Sequence, residues 1–307
     1  MFKPAFSTVA CPHMTLASIM DRLEAWGFLG VEFRTFGNGS ANFAPEPALT
    51  STVKLRAALR AAGVEACSLA TSIGFDEPVS PPVIGNVISD TEKSIRGGKS
   101  AVDLAIKLEC PFVRVFGFEL PSGESRNKGF ARVAARLAKV ADYCRNSGVK
   151  IMIENGGSFN SAADLAELLD CVHNTPGGTS ATESLSVAYS IPVGKAAGDT
   201  VAGAMNVLKG RVACVKVKDL KFGHNDGEHH HGATPVALGD GDLDVKSDLA
   251  ALAGTGYNGW VVYEYDASLS HHQANIDDIL IRSAKVMFEV GSRGQSDVQM
   301  GVGRARV

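Results

Sequence analysis

Eight short apolar runs alternate with helical stretches along this 307-residue chain, and this alternation limits its fold more than any other feature. Each run has the length of a buried strand, and the stretches between them repeat apolar residues at helical spacing. Strands that alternate with helices predict βα units and a parallel sheet. The predicted strands are residues 6–11, 31–34, 64–70, 111–116, 149–154, 185–190, 212–218 and 260–264.

The helical stretches complete eight βα units without a domain-sized linker, which favours α/β architecture as a single (β/α)8 TIM barrel over residues 1–290. An open, doubly wound sheet is the alternative, although a missing GxGxxG loop after the first strand weakens its dinucleotide-binding form. Residues 291–307 form a polar, Gly-rich tail, expected to fray or to make oligomer contacts. The predicted helices are residues 16–26, 48–62, 90–108, 127–146, a stretch opening at Ser161, 199–208, 244–253 and 273–290.

Composition excludes several classes of protein. The net charge is −3, with 30 basic and 33 acidic residues well mixed, so the chain lacks the basic stripe of a nucleic-acid binder. No apolar run reaches 18 residues and no leader pattern opens the chain, so we expect a cytoplasmic protein that does not bind membranes. The six cysteines form no CxxC pair and are expected to be buried thiols in a reducing compartment.

Two predicted strands end in a glutamate. Glu154 ends the fifth strand, Glu264 ends the eighth, and Asp219 follows the seventh. Packing does not explain an acid at such a position, because a buried carboxylate needs a cation or a proton. Catalytic groups collect at the carboxyl ends of barrel strands. The pattern therefore predicts an active site that contains Glu154 and Glu264.

Strand alternation indicates which other charges face this site. Lys216 and Lys218 share the face of the seventh strand that we assign to the barrel interior. Arg114 lies between two valines of the fourth strand, and Glu32 and Arg34 share a face of the second. Carboxylates together with these cations predict a site for anionic oxygens with acid–base capability. An ion-pair network in the upper barrel layer is the alternative.

Five stretches, in the expected order, resemble the sugar-phosphate isomerase/epimerase family, whose members have a xylose-isomerase-like barrel. Together they span nearly the whole chain and are specific for the family rather than for one substrate. The resemblance implies carbohydrate metabolism and a small carbohydrate-like substrate, and it favours a homo-oligomer. The stretches are residues 25–33, 151–157, 211–219, 238–244 and 256–264.

The resemblance also implies a divalent metal, held by a Glu after strand five, an Asp after strand six, a His on strand seven and a Glu after strand eight. These positions fall on Glu154, Ser190, Lys216 and Glu264. A protonated lysine has no lone pair to give, and a serine hydroxyl is a poor ligand. We therefore expect no cofactor, or a weakly bound Mn²⁺ or Mg²⁺ on Glu154 and Glu264.

Two further histidines of the family pattern are absent. The family's His after its strand-six Asp falls on Val193. The family's frequent Glu-Asn-His-Gly reads Glu154-Asn155-Gly156-Gly157 here. These departures also favour a metal-independent variant of the site.

Paired carboxylates suit proton transfer beside a carbonyl, in which one removes an α-proton and the other delivers a proton to a neighbouring face or carbon. The predicted function is an isomerase or epimerase of a small sugar, keto-sugar or sugar-acid derivative. Glu154 and Glu264 would be the acid–base pair and Lys216 an electrostatic stabiliser. A Schiff base on Lys216 is the second mechanism.

Other functions stay open at this point. A dehydratase or lyase could use the same site on a related polyol or keto acid. A barrel that lost its metal could instead bind a ligand or partner without catalysis. Endonuclease activity on damaged DNA fits badly, because its multi-zinc site needs more histidines at strand ends.

Several more residues are candidates for the site. The expected substrate contacts are His13, Arg114, Asp219, Ser190 and Lys218. The run His229–His231, with His224 upstream, follows the seventh strand and is expected to be a solvated loop, with a metal-binding lid as the alternative.

Overall fold

The computed structural model describes residues 1–36, 42–43, 51–78, 92–223, 232–270 and 275–304. Its strands are β1 (Lys3–Ser7), β2 (Gly30–Phe36), β3 (Asn42–Phe43), β4 (Glu65–Gly74), β5 (Phe112–Phe116), β6 (Lys150–Glu154), β7 (Leu185–Ser190), β8 (Val212–Val217), β9 (Asp219–Lys221), β10 (Thr234–Val236) and β11 (Trp260–Tyr263).

Helices follow most of these strands, and short 3-10 turns cover Thr8–Ala10 and Ala267–Leu269. The helices are α1 (Leu16–Met20), α2 (Leu23–Trp26), α3 (Thr52–Ala61), α4 (Lys93–Leu108), α5 (Arg126–Tyr143), α6 (Ala162–His173), α7 (Gly178–Glu183), α8 (Ile191–Ala196), α9 (Val201–Leu208), α10 (Val245–Gly254) and α11 (Ile276–Arg304).

Contacts divide the chain into two compact units. The first comprises Met1–Phe33, Glu46–Glu65 and Cys214–Val307. In it, β1 pairs in parallel with β2 and with β11, and β11 pairs in parallel with β8. The antiparallel ribbon of β9 and β10 follows β8. Phe6 packs edge-on against Trp26, with ring centroids 5.1 Å apart, and this contact joins β1 to α2 in the core.

The second unit comprises Arg34–Pro45 and Ala66–Ala213. Here β4, β5, β6 and β7 pair in parallel in that order. Every residue of β7 is buried, as expected for a parallel strand covered on both faces. Helix α6 begins at a capping box, in which Ser161 and Asp164 satisfy each other's backbone N–H groups.

The predicted βα alternation is present: the eight predicted strands are β1, β2, β4, β5, β6, β7, β8 and β11. The first strand lies earlier than the predicted residues 6–11, at Lys3–Ser7, because the following residues Thr8–Ala10 form a 3-10 turn. The predicted helix over residues 16–26 is two helices. The last helix extends to Arg304, past its predicted end at residue 290. Within the described residues, none of the helices is long and apolar enough to cross a membrane.

All six cysteines lie in described parts of the chain, and none forms a disulfide. Burial is confirmed for Cys11, Cys67, Cys110, Cys144 and Cys214, whereas Cys171 is half-buried.

Candidate active site

A buried lysine joins two carboxylates in the first unit. Lys216, on β8, places its Nζ 2.6 and 2.7 Å from the two carboxylate oxygens of Glu32, on β2. The same nitrogen lies 2.9 Å from Oε1 of Glu264, the residue after β11. Three contacts match the three N–H donors of an ammonium group. We call Glu32, Lys216 and Glu264 the lysine cluster.

Exposure differs sharply within the lysine cluster. The side chains of Glu32 and Lys216 are 0% and 1% exposed, whereas that of Glu264 is 16% exposed. Glu264 is therefore the member that a ligand can reach. The Lys216 ammonium contacts both carboxylates, and its predicted role as an electrostatic stabiliser stays a prediction.

The backbone fixes the position of Glu264. Its N–H donates to the carbonyl of Val217 at 2.8 Å, which extends the ladder between β11 and β8 by one residue. Val262 and Lys216 are register partners in the same ladder. Glu264 thus follows directly from a paired strand, and Lys216 holds one of its carboxylate oxygens.

Asp219 anchors a loop in the first unit. Its buried carboxylate accepts four backbone N–H bonds, from Leu220 (2.9 Å), Gly239 (2.8 Å), Gly241 (3.0 Å) and Leu243 (3.3 Å). Four bonds fill the acceptor capacity of a carboxylate. The structure therefore gives Asp219 the role of fixing the Gly-Asp-Gly turn, and its expected contact with substrate stays a prediction.

A second buried ion pair lies in the second unit. Nε of Arg114, on β5, is 3.1 Å from Oε2 of Glu154, the last residue of β6, and their side chains are 1% and 8% exposed. Arg114 also donates to the carbonyl of Thr71 at 2.9 Å, and its guanidinium lies 4.2 Å from the ring centroid of Phe116. Arg114 therefore holds Glu154 in place, and its predicted contact with substrate stays a prediction.

Asn155 joins the ends of β6 and β7. Its side-chain oxygen accepts from the N–H of Ser190 at 2.6 Å, and its side-chain nitrogen donates to the carbonyls of Ser190 and Asn160, each at 3.1 Å. The amide therefore fixes the chain directly after Glu154. The sequence gives Asn155 no role beyond its place in the Glu154–Gly157 stretch, and its position beside Glu154 is the signal for one. Ser190 is buried, and substrate contact by its hydroxyl stays a prediction.

The other predicted contacts are less constrained. His13 is exposed in the segment after the first 3-10 turn, and Lys218 is half-buried between β8 and β9. His224 and His229–His231 lie outside the described residues, so their predicted role as a solvated loop or a metal-binding lid stays open.

The lysine cluster does not fit a divalent metal. Its carboxylates both contact the Lys216 ammonium, so a cation already occupies the space between them, and the cluster offers no neutral nitrogen ligand. Across the described part of the chain, no group of three or more His, Cys, Asp or Glu side chains is arranged to hold an ion.

A family model described as the xylose isomerase-like TIM barrel matches residues 20–287. The chain belongs to the xylose isomerase-like TIM barrel family. Membership confirms the predicted fold class, a single closed barrel of eight parallel strands with helices between them. The charged residues described above therefore lie on the strands, or at the strand ends, of a xylose isomerase-like barrel.

The solved structures that this chain resembles include an epimerase and a probable dehydratase. L-ribulose 3-epimerase has a TM-score of 0.73 and 14% identity, covering 98% of both chains. The probable 3-DHS dehydratase AsbF of Bacillus anthracis has a TM-score of 0.71 and 15% identity, covering 94% of this chain and 99% of its own. At such identities the likeness shows the fold alone.

The IolI protein with a bound zinc atom has a TM-score of 0.71 and 15% identity, covering 95% of this chain and 99% of its own. A search of curated proteins gave no match.

Proposed function

We propose that this xylose isomerase-like barrel is an enzyme that moves a proton at the carbon beside a carbonyl group. Its substrate is a small sugar, keto-sugar or sugar acid, and the reaction is an isomerisation or epimerisation. The observation that carries the proposal is Glu264: it is partly exposed, follows a paired strand, and has one oxygen held 2.9 Å from Lys216.

Glu264 has the features of a general base. A carboxylate that a buried ammonium holds has a defined orientation, and positioned acid–base groups accelerate proton transfer by about 10²–10⁴-fold. The neighbouring ammonium favours the ionised form of the base. It also stabilises negative charge that develops beside Glu264 when an α-proton leaves.

Glu154 is the second acid–base group of the proposal. It ends the fifth barrel strand as Glu264 ends the eighth, and enzymes with this fold draw catalytic residues from the carboxyl ends of several strands. Within its own unit, Arg114 balances its charge, and Asn155 fixes the residue after it.

A Schiff base on Lys216 is disfavoured. An amine must lose its proton before it can attack a carbonyl, and three carboxylate oxygens within 2.9 Å of Nζ stabilise the protonated form. The nitrogen is also covered, because the Lys216 side chain is 1% exposed.

We further propose that the reaction does not require a tightly bound metal. Lys216 stands where the family places a metal-binding histidine, and its ammonium supplies a positive charge next to Glu264. Support for this part of the proposal comes from the contacts of Lys216 with both carboxylates of its cluster.

Turnover of a panel of ketoses, aldoses and sugar acids, followed by NMR, tests the proposal. We expect an isomer or epimer as product, and a roughly 10²–10⁴-fold loss of kcat in Glu264→Gln. Glu289→Gln is the matched control, because Glu289 is exposed on α11. A dehydrated product would assign the enzyme to the lyases. Unchanged turnover in Glu264→Gln would contradict the proposed base.

A further inference from the structure

A cavity of about 280 Å³ opens at the carboxyl end of β4, within the second unit. Its volume lies just below the range of about 300–1,000 Å³ that is usual for ligand pockets, so it fits a small group. It is lined by the end of β4, the segment after it, the first turn of α4 and the loop after β5. The residues that matter here are Ser72, Gly74, Asp76, Lys93, Ser94 and Phe118.

Two arginines hold the segment that carries Asp76. Arg136 donates to the carbonyl of Phe75 at 2.7 Å, and Arg132 donates to the carbonyl of Glu77 at 3.0 Å. Both guanidinium groups therefore bind the backbone on either side of Asp76. A held backbone gives the Asp76 side chain a fixed place in the cavity wall.

The partly buried carboxylate of Asp76 does not favour the stability of the fold. Burial raises the pKa of its carboxyl above the ordinary value of 3.8, although Arg132 and Arg136 act in the opposite direction. A carboxylate that is costly to ionise, in a cavity, is a functional-site candidate. A bound hydroxyl group would supply the hydrogen bonds that partial burial takes from Asp76.

Phe118 forms the apolar wall. Its backbone has φ 52°, an uncommon left-handed conformation for a bulky residue and one that concentrates at functional sites. A Cβ on Gly74 would collide with the Phe118 ring and come within 2.6 Å of Oδ1 of Asp76. Only glycine at position 74 therefore lets the aromatic ring and the carboxylate lie side by side.

The same wall continues to the ion pair of the second unit. The rings of Phe118 and Phe116 stack with centroids 4.5 Å apart, and the Arg114 guanidinium lies over Phe116 at 4.2 Å. Arg114 in turn contacts Glu154. The cavity is thus connected by stacked side chains to a proposed acid–base group.

We propose, resting on the function proposed above, that this cavity is a subsite for the hydroxyl-bearing chain of an unphosphorylated sugar or polyol. Asp76 accepts hydrogen bonds from ligand hydroxyls, the two serines donate or accept, and the face of Phe118 packs on C–H groups. Arg132 and Arg136 are engaged with the backbone behind Asp76, whereas the Asp76 carboxylate lines the cavity and repels a phosphate ester placed against it.

Ligand-observed NMR titration with ribitol and D-glucitol measures this binding without turnover. We expect both polyols to bind the wild-type protein, and Asp76→Ala to weaken binding at least tenfold. Asp170→Ala is the matched control, because Asp170 is 73% exposed beside Arg211, and it should change affinity less than twofold. D-glucitol 6-phosphate should bind at least tenfold more weakly than D-glucitol.

Three results would overturn the subsite: equal affinity in Asp76→Ala, tighter binding of the phosphate ester, or no binding of either polyol. Glu264→Gln separates the subsite from the proposed reaction. It should bind polyols as the wild type does while losing proton transfer. If it keeps full turnover and Asp76→Ala still loses binding, the subsite stands and the proposed base fails.

Discussion

Lys216 and Glu32 form a fully buried ion pair between residues 184 positions apart in the chain, with both carboxylate oxygens within 2.7 Å of Nζ. The resemblance to the family implies a metal-binding histidine at the position of Lys216, and this correspondence stays a prediction. The pair thus places a fixed positive charge beside Glu264 and keeps the lysine itself covered.

Removing the ammonium should strongly destabilise the fold. Lys216→Met leaves the Glu32 carboxylate buried without its cation, which typically costs about 3–5 kcal/mol. Urea unfolding should show a loss of this size, and activity should fall because Glu264 loses its anchor. The double variant Glu32→Gln/Lys216→Met should recover much of the stability but not the activity. A loss below about 1 kcal/mol in the single variant would argue against a buried charged pair.

Asp219→Asn tests the loop anchor. An amide side chain turns an NH₂ group toward backbone donors, so the Gly239–Leu243 turn loses acceptors, at a cost of about 1–3 kcal/mol. Limited proteolysis should cut this turn faster than in the wild type. Asp170→Asn, on an exposed helix position, serves as the control. An unchanged cleavage rate would show that the four bonds to Asp219 do not hold the turn.

The cysteines should be poorly reactive in the folded protein. Burial raises the pKa of the Cys11 and Cys144 thiols to about 12, and thiolate is the reactive form. Titration with a thiol reagent at pH 8 should detect at most Cys171 within minutes, because it is the half-buried one. The unfolded chain in guanidinium should show all six. Rapid reaction of two or more thiols in the native protein would contradict the packing.

Asp76 should make stability depend on pH. Because burial raises its pKa in the folded state, the folded protein binds this proton more tightly than the unfolded chain does. The contribution to stability is therefore present below the ordinary pKa of 3.8 and is lost as pH rises through the raised value. The free energy of unfolding of Asp76→Asn relative to wild type should increase between pH 4 and 7. A constant difference, or a decrease, would contradict the assigned burial.

The fold could be predicted from local sequence patterns, because the strand and the helix of each βα unit show their own spacing of apolar residues. Leu185–Ser190 was predicted with the bounds that the structure shows, since the polar pair Glu183-Ser184 precedes the strand and Pro192 follows it closely. Two helix ends follow local chemistry: Thr15 accepts from the N–H of Ser18 at the start of α1, and Gly63 adopts φ 67° after α3. Short elements such as β9 and β10, three residues each, carry too little pattern to detect.

The candidate site was only partly readable. Position at strand ends made Glu154 and Glu264 candidates, and strand alternation predicted that Lys216 and Arg114 turn inward, in agreement with their burial. The sequence does not predict which charged residues pair. Glu32 and Lys216 are 184 positions apart and come together only in the folded chain. The anchoring role of Asp219 depends on a loop that returns 20 residues later, which no local pattern encodes.

The most direct test is a reaction of EDTA-treated protein with ketoses in D₂O. NMR then measures how much solvent deuterium the products contain. We predict deuterium at the carbon beside the carbonyl in the wild-type reaction, and a loss of at least about 10²-fold in both Glu264→Gln and Glu154→Gln. Turnover that leaves this carbon undeuterated, or that disappears with EDTA and returns with Mn²⁺, would contradict metal-independent proton transfer.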